Sequence, residues 1–238
     1  MAADSELSEL YKRLATIEDD VDAGRYRPGP WESLLRTLRE RPRAEREEIA
    51  DAVARVSRKL HMRGGRRTIE VGSAITVELA ATIAGAVLLI VAFATASNLL
   101  AIVSVSIWAT TFQPLIKLAC GRALGVRYDY AYLWALEPRL KMDFGSYIAA
   151  PRAARILLHL SGTVGSPLAV WIVWLLLPPG MALARILCWY AMWVLIGINA
   201  VTLIVGLAGI RRLGGFRMRD SSSGAAAAEL REAVGLRA

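Results

Sequence analysis

Gln113 and Lys117 stand four residues apart near the end of a long apolar run. On a helix that spacing puts both side chains on one face, and two histidines placed so could share a metal ion. Here the pair is an amide and an ammonium, so it offers a hydrogen-bonding group and a fixed positive charge instead. Glu78, His159 and Asn199 also fall inside apolar runs. Ionisable groups in a membrane are costly and usually face the bundle interior or a cavity, which makes each a functional hypothesis. Glu78 is the expected counter-charge of Lys117, because a lone carboxylate in apolar surroundings would take up a proton. The alternative for Lys117 is to reach the interface along its own stem. His159 alone reads more readily as a hydrogen-bonded interior residue than as a ligand, and Asn199 equally suits a helix–helix hydrogen bond. The five residues Glu78, Gln113, Lys117, His159 and Asn199 are expected in the same half of the bilayer, as one polar cluster.

A catalytic zinc site needs three protein ligands and an open fourth position. The chain has only two histidines, His61 and His159, and His61 lies in a polar region. A mixed set of His159, Cys120 and Asp220 can be written down, but nothing in the spacing favours it. The chain also lacks a phosphate-cradling Gly-x-x-x-x-Gly-Lys-Ser/Thr loop, a Gly-x-Ser-x-Gly elbow and any paired-cysteine metal motif. No metal and no cofactor are expected, and the balance leans away from an enzyme.

The elements that must position these residues are membrane spans. Of 238 residues 55% are hydrophobic, and the net charge is +8. That pairing suits a membrane protein whose basic residues gather on one side of the bilayer, and it is not read as a nucleic-acid footprint. Residues 71–116 are almost continuously apolar and, as one helix, would be about 69 Å long, roughly twice the hydrocarbon thickness. The polar break at Thr95, Ala96, Ser97 and Asn98 is the natural turn. Spans are expected near 72–94, 99–124, 153–177 and 182–208, the third ended by Pro178-Pro179-Gly180. The turns at 95–98 and 178–184 carry no charge. The 122–155 connection carries Arg122, Arg127, Arg139, Lys141, Arg152 and Arg155, and the tail six more basic residues, so the termini and the middle connection are expected to be cytoplasmic. Cys120 and Cys188 lie in apolar runs and predict no disulfide. No cleavable signal peptide is expected, since the first 25 residues are charged and lack an apolar core.

Residues 1–70 hold 15 basic and 14 acidic side chains, so the region is highly charged yet nearly neutral. Its apolar residues recur at helical intervals: Leu7, Leu10, Leu14 and Ile17; then Trp31, Leu34, Leu35 and Leu38 after Pro30; then Ile49, Val53, Val56 and Leu60 after Pro42. Three helices are expected, packing on one another or offering a surface to a partner. In the middle connection, Val126-Arg127-Tyr128-Asp129-Tyr130-Ala131-Tyr132-Leu133-Trp134 alternates like a strand, with 138–143 as its return. An aromatic interfacial belt is an equal reading of the same residues.

The segment from Gln113 to Val126, with Gly121-Arg122-Ala123-Leu124-Gly125-Val126 at its end, resembles the first core helix of site-2-protease-like intramembrane zinc metalloproteases. There a His-x-x-x-His pair precedes a Gly-Arg-x-Leu-Gly-Val turn. The later segments come in a similar order: a strand-like loop, then His159-Leu160-Ser161-Gly162-Thr163-Val164-Gly165-Ser166-Pro167 as the small-residue stretch of a second core helix, then Asn199 on a third. Asp220 stands where the family has an Asp-Gly ligand, although three serines separate it from Gly224. The resemblance covers about residues 99–225. It implies that Gln113 and Lys117 occupy former ligand positions and that Pro114 replaces the catalytic glutamate. Lys117 would then put a positive charge where the metal cation sits.

The expected molecule is an all-α integral membrane protein of four transmembrane helices, with a strand-like interfacial loop and an N-terminal helical region. Its parts are a cytoplasmic region 1–70, a membrane domain 71–210 and a cytoplasmic tail 211–238. The resemblance implies a pseudoprotease that binds or regulates a membrane partner. The alternatives are a metallopeptidase with an atypical site, or a structural membrane protein with an N-terminal docking module. The expected partners are the lipid bilayer and, as a candidate, a membrane protein, with no nucleic acid.

Overall fold

The computed structural model describes residues 2–65, 67–134, 137–210, 212–213, 216–218 and 221–235. It divides into two compact units: one formed by Met1–Val71 with Leu124–Pro151, the other by Gly72–Ala123 with Arg152–Ala238. The connection between the second and third spans therefore belongs with the N-terminal helices, rather than with the 71–210 block expected from the sequence.

In the first unit, helices α1 (Ala2–Asp22), α2 (Pro28–Glu40), α3 (Arg43–Glu48) and α4 (Ala50–Met62) turn their apolar stripes inward. Leu10, Leu14, Ile17, Leu34, Leu38, Ile49, Val53 and Val56 form one buried cluster, which is the mutual packing of helical stripes that the periodicity predicts. In place of the single helix expected after Pro42 there are two. Ile49 sits at the joint, and its N–H is shared between the carbonyls of Glu45 and Glu47. Ion pairs rim the core: Lys59 meets Glu18 at 2.9 Å and Asp22 at 2.5 Å, and Arg55 meets Glu18 at 3.2 Å.

The middle connection does form a hairpin. Strand β1 (Thr68–Ile69) pairs antiparallel with β2 (Tyr128–Trp134), which pairs with β3 (Glu137–Met142) in the register Tyr128↔Met142, Ala131↔Leu140, Trp134↔Glu137. Its alternation has a use within the unit, because Ala131 is fully buried while Tyr130 hydrogen-bonds to His61 Nδ1 at 2.8 Å and Arg58 meets Asp129 at 2.5 Å. Asp143 then caps α7 (Phe144–Ala149) by accepting from the Ser146 N–H at 3.0 Å. Helix α7 lies so close to α4 that a Cβ on Gly145 would overlap the Ala50 carbonyl oxygen. Ile148 completes the unit's core.

Among the described residues, the second unit contains four helices long and apolar enough to cross a membrane: α5 (Val71–Thr95), α6 (Asn98–Ala123), α8 (Arg152–Leu176) and α9 (Ala182–Leu207). At 25 to 26 residues each is about 38 Å long, enough to span the hydrocarbon core. The chain is an all-α integral membrane protein, and the outer faces of these helices contact lipid. At the α5–α6 turn Ala96 takes a positive φ of 51°. Asn98 Oδ1 there accepts from the Ala184 N–H at 3.0 Å, satisfying one of the orphan donors at the start of α9. A short pair, β4 (Arg212–Leu213) with β5 (Phe216–Arg217), leads into α10 (Ser222–Ala233). The segment expected as a tail thus contains a capped helix, and it packs within the second unit.

Candidate functional site

Helix α8 carries Arg155, His159, Gly162, Thr163 and Ser166, spaced so that they share one face. This stripe meets α6 and α10. On the α6 side, a Cβ on Gly165 would lie 2.6 Å from Gln113 Cα, and one on Gly162 would lie 3.3 Å from Lys117 Cδ. Small residues let the backbones come this close. Ser166 donates to the Ala109 carbonyl at 2.5 Å and reaches Gln113 Oε1 at 3.4 Å. Lys117 Nζ stands 3.4 Å from Ser222 Oγ, at the start of α10, and that same hydroxyl would clash with a Cβ on Gly162.

Asn199 joins three helices. Pro167 has no N–H, so the Thr163 carbonyl one turn earlier loses its helical partner; Asn199 Nδ2 donates to it at 3.2 Å. Asn199 Oδ1 in turn accepts from Ser223 Oγ at 2.6 Å. The proline and the asparagine thus form one device, with a backbone acceptor inside the bundle satisfied from the neighbouring helix.

The structure therefore gathers Gln113, Lys117 and Asn199 around the stripe of α8 and the first turn of α10. His159 is buried at 5% exposure, between Arg155 and Gly162 on that stripe. Glu78 lies half-buried on α5, and one turn on, Thr82 bonds Thr111 of α6 at 3.0 Å. Cys120 points its thiol at the Leu157 carbonyl, 3.9 Å away. Asp220 lies outside the described residues. Among the described residues no three His, Cys, Asp or Glu side chains gather as a metal site. Lys117, an ammonium with no lone pair to offer a metal, adds a positive charge beside this stripe.

Among the described residues, the most buried charged feature is one that no sequence motif marks. Arg155 Nε donates to Glu229 Oε2 at 2.9 Å, with side-chain exposures of 1% and 3%. Arg231, two residues on, donates to the Leu207 carbonyl at 2.6 Å, occupying one of the orphan acceptors at the end of α9. That end is a Schellman turn: Ile210 N–H bonds the Val205 carbonyl and Gly209 N–H the Gly206 carbonyl, with Gly209 at φ +87°. The available signal for α10 is Ser221 ahead of a run of alanine, glutamate, leucine and arginine, a cap followed by strong helix formers. Ser221 Oγ does accept from the Gly224 N–H, at 3.1 Å.

Set against known proteins, the chain finds no match. No family model, curated protein or solved structure matches it.

Proposed function

We propose that this protein is a non-catalytic membrane binder, a pseudoprotease in the sense its resemblance implies, which holds or regulates a membrane partner and keeps both termini and the 122–155 connection in the cytoplasm. The observation that supports this most is the packing around the former ligand pair. A catalytic metal needs an open coordination position, whereas Gln113 is pressed against Gly165 and Lys117 against Gly162 and Ser222. In this reading the two side chains serve helix packing and hydrogen bonding rather than coordination. The orientation is supported by charge, since the turns at 95–98 and 178–184 carry none while the 122–155 connection carries six basic residues.

The test is metal content together with cleavage. The protein purified in lipid nanodiscs and equilibrated with zinc should hold well under one zinc per chain, and it should leave single-span model substrates intact. About one zinc per chain, lost on His159→Ala, would overturn the reading in favour of an atypical metallopeptidase. Single cysteines at Arg152 and Gly180, both exposed, treated with a membrane-impermeant thiol reagent on intact cells, test the orientation. Labelling is expected at Gly180→Cys alone.

A further inference from the structure

Helix α10 departs from every other helix described in the second unit. Its first turn lies beside Asn199 and Lys117, and Asn199 is eight residues, about 12 Å, inside the end of α9. Its last turn lies beside Leu207 and Arg155, at the ends of α9 and α8. It therefore enters the bundle and climbs back out without spanning it. Such a segment is tolerated at membrane depth where protein covers it, and one face of α10 is covered: Ser223, Gly224, Ala226, Ala227 and Glu229 are buried.

What holds it there is unusual. The buried apolar side chains are alanines, so burial supplies little hydrophobic free energy, and a 12-residue helix is marginal by itself. The specific attachments are polar: Lys117 to Ser222, Asn199 to Ser223, Arg155 to Glu229 and the Leu207 carbonyl to Arg231. A buried ion pair adds little over well-packed apolar residues, but it penalises any occupant without the matching charge. Arg155 is thus a selectivity element, and the steric seam of Gly162 and Gly206, where an added Cβ would stand 2.5 Å from Ser222 Oγ and 2.6 Å from Ala227 Cβ, admits only a slender helix.

We infer that the groove between α6, α8 and α9 is a helix-docking site selective for small residues followed by one carboxylate, that α10 is its tethered occupant, and that a partner helix of the same chemistry displaces it. This rests on the non-catalytic binding reading and names the kind of partner. Displacement swaps like for like, because the incoming carboxylate replaces Glu229 on Arg155 and no charge is left stranded.

The experiment uses the full chain in nanodiscs, with amide hydrogen exchange read over residues 222–233. The probe is a synthetic helical peptide that keeps only the glycine, alanines and position-229 glutamate of α10. In the unaltered chain α10 should be protected, and excess peptide should raise its exchange at least ten-fold while α8 and α9 stay unchanged. The same peptide with glutamine at that position should need at least ten-fold higher concentration. In Glu229→Gln, α10 should exchange at least ten-fold faster without any peptide. Equal potency of the two peptides overturns the carboxylate selectivity. No acceleration in the unaltered chain overturns displacement, whatever the variant does. Appearance of cross-linked dimers joined through α10 would make a second copy, not a partner, the occupant, and would overturn the proposal as stated. Zinc content, which decides the non-catalytic reading, is a separate measurement and does not enter these outcomes.

Discussion

The two units bury an apolar cluster each but invert each other in what they turn outward and in the polar groups they enclose. In the first, leucine, isoleucine and valine fill the interior while arginine, lysine and glutamate pair at the surface. In the second, large apolar side chains such as Ile83, Ile90, Trp193, Ile198 and Ile204 face outward, and an arginine–glutamate pair, an asparagine and a histidine lie inside. The difference comes from the solvent. Water drives apolar groups together in one case. Lipid gives no such drive in the other, so helices associate through small residues, close packing and interior hydrogen bonds.

The largest expected effect comes from breaking the buried pair. Arg155→Ala or Glu229→Ala takes the opposite charge away from a site about 1–3% exposed, and each should cost about 3–5 kcal/mol, read as a fall in thermal stability in nanodiscs. Arg155→Met with Glu229→Leu should recover most of that loss. Equal losses for single and double variants would show that the pair itself, rather than charge burial, sustains the fold. The same comparison predicts opposite answers to one truncation. Leu34→Ala, at 0% exposure in the first unit, should cost about 2–5 kcal/mol, whereas Leu183→Ala, at 54% exposure on α9, should stay within about 0.5 kcal/mol.

Much of this inversion is visible in the sequence, because both solvents leave periodic marks. The spans differ by a residue or two from those expected, since apolar run length and the breaks at residues 95–98 and 178–180 are direct consequences of bilayer thickness. The helical stripes of residues 1–60 are equally legible. Pairing at a distance is not. Glu229 sits in a charged tail segment and Arg155 among loop arginines, and 74 residues separate them, so nothing local marks them as partners. The attachment of 124–151 to the N-terminal helices is hidden for the same reason, being carried by long-range contacts such as Gly145 against Ala50 and Tyr130 against His61. For Asn199, by contrast, a partner can be inferred: Pro167 always frees the Thr163 carbonyl, and an amide on a neighbouring helix is the group that can answer it.

A smaller effect sharpens the polar interior. If Glu78 is the counter-charge of Lys117, then Glu78→Gln and Lys117→Met should each lower stability, and the double variant should fall short of their sum by about 0.5–3 kcal/mol. Additive losses would separate the two residues and leave Lys117 to Ser222 and the α10 terminus.

The smallest effect belongs to the surface of the first unit and depends on pH. Glu18 is held below the usual carboxylate range, chiefly by its hydrogen bond to Lys59 and further by Arg55, with burial opposing. A group whose pKa is depressed by folding stabilises the fold above its unfolded value, about 4.3, and loses that contribution as pH falls through its folded value. Acidification from pH 6 toward about pH 3 should therefore loosen α1 from α4, read as faster amide exchange across Leu10, Leu14 and Ile17. In Glu18→Gln the proton-linked part of that change should vanish, leaving a shallower pH profile at all three positions. Because the carboxylate is only partly shielded from water, the difference should be no more than about 1 kcal/mol. It should also shrink at high salt, where exposed pairs are screened over about 3 Å at 1 M. The buried pair of the second unit, enclosed by protein at both partners, should keep its full effect at the same ionic strength. A salt titration of the two variants side by side thus separates a pair that water shares from one that it does not.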